Sequence, residues 1–414
     1  MTPYSLDLFA GCGGLSLGLR QAGIVTKWAN EVDPHAANTF TKNHPEVEVS
    51  QADAREYLHA IRENIPGHPQ KGQVNVLCGG PPCQGFCQIN RHRNFDDSRN
   101  SLVEVFFDFV EVLRPNLVLM ENVTGILTLE GGRAIASLRD ALQDLGYSSE
   151  IGILQAGYYG LPQNRWRVFV VAAAKGMRLP LFPNPTHSFH KTNFVGMPKW
   201  RSKVLEAPQI DDLFGQHIEQ RPDVRAAIGD LPKDTCSDGD GLVSYAFGSQ
   251  SLYQETLRSG NGSEVSDHRG FRLKDVSLER CRHIPPGGGW LDLPEDLKPR
   301  NLTRYTKRKD SFPARWGRLA WKNTFSAIVT KPEPYWGRYL HPEADRVITV
   351  RECARAQSFP DRFHFEGPIS ARYRQIGNAV PPFLARVLGW ELRRALGDKD
   401  VEEEILAYRQ SIQT

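Results

Sequence analysis

Residues 4–19 read YSLDLFAGCGGLSLGL. The apolar run YSLDLFA gives way to Gly-Cys-Gly-Gly and then to LSLGLRQAG, which reads as strand, glycine turn and helix, with Gly23 as the stop. Such a unit lets the backbone at the end of a strand approach a nucleotide-like ligand closely. It is not a dinucleotide fingerprint, because G-x-G-x-x-G counted from Gly11 needs glycine where Ser16 stands. The same rhythm continues outward. TKWANEVD (26–33) is a second strand, and PHAANTFTKNH behind it opens with Pro34, which a first helical turn tolerates. VNVLCGG (74–80), NLVLMENV (116–123) and WRVFVVAAA (166–174) are further short strands, with the helix LVEVFFDFVEVL (102–113) between the first two. Strands alternating with helices predict an α/β fold, a doubly wound, mostly parallel sheet with ligands at the carboxyl ends of its strands.

The rhythm breaks near residues 180–187, where the prolines of LPLFPNPTH cannot continue it. From there to about residue 345 the sequence is turn-rich, includes HIPPGGGWLDLP (283–294), and shows neither a clean period nor a repeat. Helical patterns return in TVRECARAQSF (349–359) and VPPFLARVLGWELRRAL (380–396). The expected organisation is a first domain over 1–187, a smaller irregular domain over 188–345, a return segment over 346–398 that completes the first domain, and a tail helix over 399–414.

The 414 residues exceed the roughly 250–300 at which one core stops growing, and 40% hydrophobic with 24% charged residues is ordinary globular composition. No apolar run reaches the length of a membrane span, and the start, MTPYSLDLFAG, lacks the features of a signal peptide, so an intracellular protein without a membrane partner is expected. The seven cysteines are odd in number and scattered, which predicts reduced thiols, and no C-x-x-C pair is present, so no metal site is expected. A net charge of +3 decides nothing by itself. From Lys298 to Arg338, however, cations that include Arg304, Lys307, Arg308 and Lys309 face only Asp310 and Glu333, with Tyr and Trp between them. That mixture suits a phosphate backbone and unstacked bases, and equally a solvated basic face.

Candidate chemistry gathers at the strand ends. Glu31, closing the second strand, is placed for ribose hydroxyls, and Asp53 in QADAR could accept from an adenine amino group. Each acid alone reads as readily as a helix cap, but with the glycine turn they outline an adenosine pocket. GGPPCQGF (79–86) follows the strand VNVLC, so Cys83 sits on a loop at the same edge. Pro81 and Pro82 fix the backbone ahead of it and remove donors, which favours rigid presentation of a thiolate nucleophile. Glu121 ends NLVLM at that edge, and QNRWRV (163–168) places Arg165 and Arg167 two apart, hence on one face of a strand. A carboxyl group, a thiol and two guanidiniums form a plausible reaction site. RQIGNAVPP (374–382) adds a glycine turn and Asn378.

In this order, DLFAGCGGLSLG, NEVD, AD, GGPPCQGF, ENV, QNRWRV, RECARAQSFPD and IGNAVPP resemble the motif series of the DNA cytosine-5 methyltransferases, across nearly the whole chain outside 190–345. QKGQVNVLCGGPPCQGF, ILQAGYYGLPQ and the stretch from GRLAW to FSAIVTKPEP are also similar to the catalytic domain of the eukaryotic maintenance enzyme. The resemblance implies a Rossmann-like class I fold that uses S-adenosylmethionine, leaves S-adenosylhomocysteine and needs no metal. It implies that Cys83 attacks carbon 6 of a flipped cytosine, that Glu121 serves ring nitrogen 3, and that Arg165, with Arg167 nearby, serves the base carbonyl oxygen. Cofactor contacts would come from Phe9, Ala10, Gly11, Gly13, Gly14, Leu15, Glu31, Val32, Asp53, Ala54, Pro81, Asn378 and Val380. Gln84 and the arginines of 86–102, Arg91, Arg93 and Arg99, would face DNA from a catalytic loop, and 188–345 would recognise the target, with Arg304, Lys307, Arg308 and Lys309 on the backbone. The expected partner is double-stranded DNA, bound by a monomer. The first motif starts at Asp7 as in bacterial members, so the bacterial cytoplasm, with a companion restriction endonuclease as a further partner, is expected ahead of the nucleus, and both branches of the family stay open. Two alternatives stand beside this. One is a transfer-RNA methyltransferase on the same scaffold, whose loop resembles PPCQPF where Gly85 stands here; the other is an inactive DNA-binding paralogue.

Overall fold

The computed structural model describes residues 2–82, 102–188, 202–205, 219–236, 240–303 and 314–413. Strand β1 (Tyr4–Leu8) is buried over its last four residues, and it leads through the glycine turn into helix α1 (Gly14–Gln21). The units that follow are β2 (Val25–Asn30) with α2 (Pro34–Asn43), β3 (Glu48–Ser50) with α3 (Ala54–Arg62), β4 (Val76–Gly79) before α4 (Leu102–Leu113), and β5 (Leu117–Val123) before α5 (Arg133–Asp144). β6 (Tyr147–Gln155), the two-residue strand β7 (Gln163–Asn164) and β8 (Trp166–Ala174) complete this part. Seven of the strands form one sheet in the order β3-β2-β1-β4-β5-β8-β6.

Every pairing in that sheet is parallel except those of β8 with β5 and with β6. The reason is connection length. α5 carries the chain from β5 to a parallel β6, leaving a gap one strand wide. Only ten residues separate the end of β6 from the start of β8, too few for a crossover, so β8 enters that gap antiparallel. The expected α/β doubly wound, mostly parallel and Rossmann-like sheet is therefore present. β3 and β6 carry no period that the sequence reading used. Tyr57, Leu58, Phe106, Phe109 and Leu138 of α3, α4 and α5 pack in one core with Leu6, Leu77 and Val170 of the sheet.

The chain forms two compact units, one from Met1–Gly160, Trp166–Gln220 and Ala379–Thr414, the other from Leu161–Arg165 and Arg221–Asn378. The first holds the sheet, and late in the chain it regains α12 (Pro382–Ala395), buried along most of its length and packed on α1, and α13 (Val401–Gln413). The second consists of short elements: α6 (Val224–Ile228), α7 (Leu252–Arg258), α8 (Asp275–His283), α9 (Arg300–Thr303), α10 (Val350–Ala356) and α11 (Ile369–Asn378). The return to the first unit thus falls at Ala379 and not at 346. The physical reason is Arg355 of α10, whose guanidinium is buried between Asp361 and Asp230 inside the second unit. No helix among the described residues is long and apolar enough to cross a membrane.

Candidate active site

At the end of β1 the backbone turns through left-handed conformations at Phe9 (φ 56), Gly11 (φ 58) and Gly13 (φ 92), and α1 starts at Gly14. A Cβ on Gly13 would lie 2.8 Å from Nε2 of His44, so glycine is required there for space as well as for φ. Glu31, one residue past β2, holds this turn: the Gly11 N–H donates to its Oε2 at 2.9 Å and the Asp33 N–H to its Oε1 at 2.8 Å. Burial pushes the Glu31 carboxyl above its ordinary value. Under the turn, Asp7 is 1% exposed and accepts from the Ser16 hydroxyl at 2.6 Å, and burial pushes its carboxyl up to about 7.

Val32, beside Glu31, is 62% exposed, an apolar side chain left uncovered at the strand ends. Asp53 caps α3 by accepting from the Arg55 N–H at 2.8 Å and otherwise faces outward, with Ala54 buried behind it. Asn30, which the sequence reading did not single out, brings these groups together. Its Nδ2 donates to the carbonyls of Ser50 and Ala52, tying the segment before Asp53 to the end of β2. Its only sequence signal is a polar residue closing an apolar strand. Ala10, Gly14 and Leu15 are buried in the turn. Val32 and the Asp53 side chain are thus left accessible just past the ends of β2 and β3, with Glu31 tying the end of β2 to the glycine turn.

A second group of residues lies at the ends of β4, β5 and β8. Glu121 stands opposite Phe169, and Arg167 opposite Val123, so the two are diagonal neighbours across an antiparallel pair. Arg167 Nε lies 2.9 Å from Glu121 Oε1, with both side chains largely buried. Burial lowers the pKa of the Arg167 guanidinium and Glu121 counters that shift. The chain leaving β4 passes close by, since a Cβ on Gly80 would lie 3.2 Å from Glu121 Oε2. Pro81 is buried and Pro82 exposed.

Arg165 does not share a strand face with Arg167. It sits in the break between β7 and β8, is 1% exposed, and donates through its Nη atoms to the carbonyls of Ile328 and Gly377 at 2.9 and 3.0 Å, all within the second unit. The period-two reading failed because the strand is interrupted one residue before Trp166. Gln163, also overlooked, donates to the Ala356 carbonyl and Gln357 Oε1 and accepts from the Ile328 N–H. Asn378 is exposed at the end of α11 in the second unit, and Val380 is buried in the first.

Cys83, Gln84, Arg91, Arg93, Arg99, Arg304, Lys307, Arg308 and Lys309 lie outside the described residues. Of the described thiols, Cys12, Cys78, Cys281 and Cys353 are buried, and burial raises each of their pKa values, to about 12 for Cys12 and about 11 for Cys281. Such thiols are poor nucleophiles.

The family model for C-5 cytosine-specific DNA methylase matches residues 4–394. The chain is similar to DNA (cytosine-5)-methyltransferase 1A of Oryza sativa subsp. japonica, 36% identical over 438 residues that cover 95% of this chain and 28% of that protein. It is likewise similar to DNA (cytosine-5)-methyltransferase 1 of Mus musculus, 35% identical over 464 residues, covering 95% of this chain and 28% of that one. The chain therefore spans less than a third of the length of these curated relatives. Among solved structures, a chain assigned as a DNA modification methyltransferase encoded within an E. coli prophage superimposes with a TM-score of 0.66 at 25% identity, over 95% of this chain and 99% of that one. With the motifs in order along one fold of the same kind, the chain belongs to the C-5 cytosine-specific DNA methylase family.

Proposed function

We propose that the chain transfers a methyl group from S-adenosylmethionine to carbon 5 of cytosine in double-stranded DNA, through a covalent adduct between Cys83 and a flipped-out base. The observation that carries this reading is the meeting, within one unit, of the Glu121–Arg167 pair with the Gly80–Pro81 entrance to the cysteine segment. The glycine turn lies at the same edge of the sheet, and membership of the family supports the substrate class.

In this reading Glu31 takes the ribose hydroxyls, Val32 the adenine face and Asp53 the adenine amino group, above the backbone of Phe9 to Leu15. When bound, the cofactor supplies an electrophilic methyl group on a sulfonium sulfur. Cytosine must leave the stack, because a thiolate on a loop cannot reach carbon 6 inside a duplex. The Cys83 thiolate adds to carbon 6, and the electrons of the 5,6 double bond move toward carbon 5 while Glu121 delivers a proton to nitrogen 3. In this reading Arg167, whose Nε lies beside Glu121 and whose Nη1 donates to the Trp166 carbonyl, joins Arg165 in serving the base carbonyl oxygen, because it stands next to the acid. Once carbon 5 carries the methyl group, loss of its proton to a base restores the double bond and expels the thiolate. The second unit serves target recognition.

The test uses a duplex containing 5-fluorocytosine, whose fluorine cannot leave as the proton does. Wild type with cofactor should form an adduct that survives denaturation and maps to Cys83, and Cys83→Ser should form none and lose methyl transfer. A wild type that forms no adduct, or a serine variant that keeps turning over, would sink the covalent mechanism. Methyl arriving in transfer RNA instead of DNA would change the substrate class.

A further inference from the structure

Between the end of β4 and Cys83 the chain has no ladder to hold it. β4 and β5 pair residue for residue up to Gly79 opposite Met120. Gly79 itself is fixed by crowding, since a Cβ there would lie 2.2 Å from the Leu8 carbonyl oxygen. Beyond it stand Pro81 and Pro82, which have no N–H to donate, so the main chain cannot extend the sheet toward the cysteine. A side chain takes over. Asn122 of β5, 5% exposed, donates from Nδ2 to the Pro81 carbonyl at 2.9 Å. Its Oδ1 accepts from the Val123 N–H at 2.9 Å, which leaves the amide one orientation that satisfies both ends.

We propose that Asn122 is a positioning residue for the nucleophile, an inference that rests on the methyl-transfer reading. Its amide fixes the Pro81 carbonyl two residues before Cys83, and it stands next in the chain to Glu121. One strand end thereby sets the start of the thiol's segment and the acid's location together. A thiolate must approach carbon 6 while Glu121 meets nitrogen 3 of the same ring, so a fixed offset between the two is what the chemistry needs. Asn122 does not touch the base.

The experiment measures exchange of tritium from carbon 5 of cytosine in DNA, without methyl transfer. The thiolate adds to carbon 6, a solvent proton binds carbon 5, tritium leaves that carbon, and the thiolate is expelled, with no net oxidation. In N122A and in N122D, exchange and methyl transfer should fall together by about 10²-fold, with S-adenosylhomocysteine affinity and thermal midpoint close to wild type. N122D, which has the same shape, carries the test should N122A fail to fold. It also has a pH signature. As a carboxylate it turns an acceptor toward the Pro81 oxygen, whereas the protonated form can donate as the amide did, so its rate relative to wild type should recover as pH falls. Glu121 beside it and Arg167 across the sheet are common to both proteins, so the ratio isolates position 122. Exchange that keeps pace with wild type would overturn this inference alone, as would a loss of cofactor affinity and stability that matches the loss of rate. A wild type that exchanges no tritium would overturn the methyl-transfer reading, and this inference with it.

Discussion

Glu121 has a guanidinium nitrogen 2.9 Å from one of its oxygens, so a base that uses this carboxyl must do so with Arg167 still beside it or displaced. Glu121→Gln keeps the shape and an acceptor but removes both the charge and the transferable proton. Turnover is expected to fall by roughly 10²-fold or more if the residue is the acid, measured as methyl transfer to DNA under saturating cofactor. An unaltered rate removes it from that role. Glu121 and the glycine turn were legible in the sequence because chemistry-bearing residue types stand out at the ends of apolar runs. Asn30, Asn122 and Gln163 were not, because each acts by bonding backbone far away in the chain, up to 193 residues for Gln163 and Ala356, and nothing local marks such a partner. Arg165 and Arg167 look alike in sequence, yet Arg165 donates to the distant carbonyls of Ile328 and Gly377, while Arg167 pairs with Glu121 and donates to the carbonyl of its neighbour Trp166.

At the scale of elements, α1 is a helix of eight residues whose first six are buried, too short to be stable on propensity alone. It is held by α12, which comes from the other end of the sequence. The contact is close because Gly18 has no side chain: a Cβ there would lie 2.3 Å from the Pro382 carbonyl and 2.4 Å from the Ala385 Cβ. Backbone cannot move aside cheaply, so Gly18→Ala should destabilise by roughly 1–3 kcal/mol of overpacking, despite alanine's better helix propensity. Urea unfolding checks this, and a variant as stable as wild type would show that the two helices have slack. α1 follows directly from the glycine turn, so cofactor affinity should weaken in the same variant. The period of α12 was visible in the sequence, as were β1, α4 and β8. The direction of β8 was not, since it follows from the lengths of the connections before it.

The molecule as a whole is built from interleaved pieces, with the five residues Leu161–Arg165 belonging to one unit and both their neighbours to the other. No composition shift marks so short an excursion, and the sequence reading placed its boundaries at the prolines of 180–187 and at the return of helical pattern near 346 instead. The second unit has few long elements and therefore little hydrophobic periodicity to read. Part of what orders it is buried charge: Arg355 donates to Asp361 at 2.9 and 2.6 Å and also to Asp230, and Arg351 and Arg372 both reach Asp267. Burial by itself would raise the Asp361 carboxyl, but Arg355, then Arg351 and the Tyr245 hydroxyl, hold it below its ordinary value. A depressed carboxyl contributes stability above its unfolded pKa of about 3.9 and loses it as pH falls through the folded value, so wild type should weaken in acid below that point. Arg355→Met removes the cation and leaves two carboxylates buried with their main partner gone, at an expected cost of about 3–5 kcal/mol near neutral pH. An exposed pair such as Arg20–Glu46 should cost at most about 1 kcal/mol when broken. The methionine variant should recover stability relative to wild type as pH falls toward about 4, because without the Arg355 cation burial raises the Asp361 carboxyl, which then takes up its proton above the unfolded value. Denaturation of both variants across pH measures this directly, and an Arg355→Met chain as stable as the Arg20 variant would show that packing, and not the ion cluster, holds the second unit together.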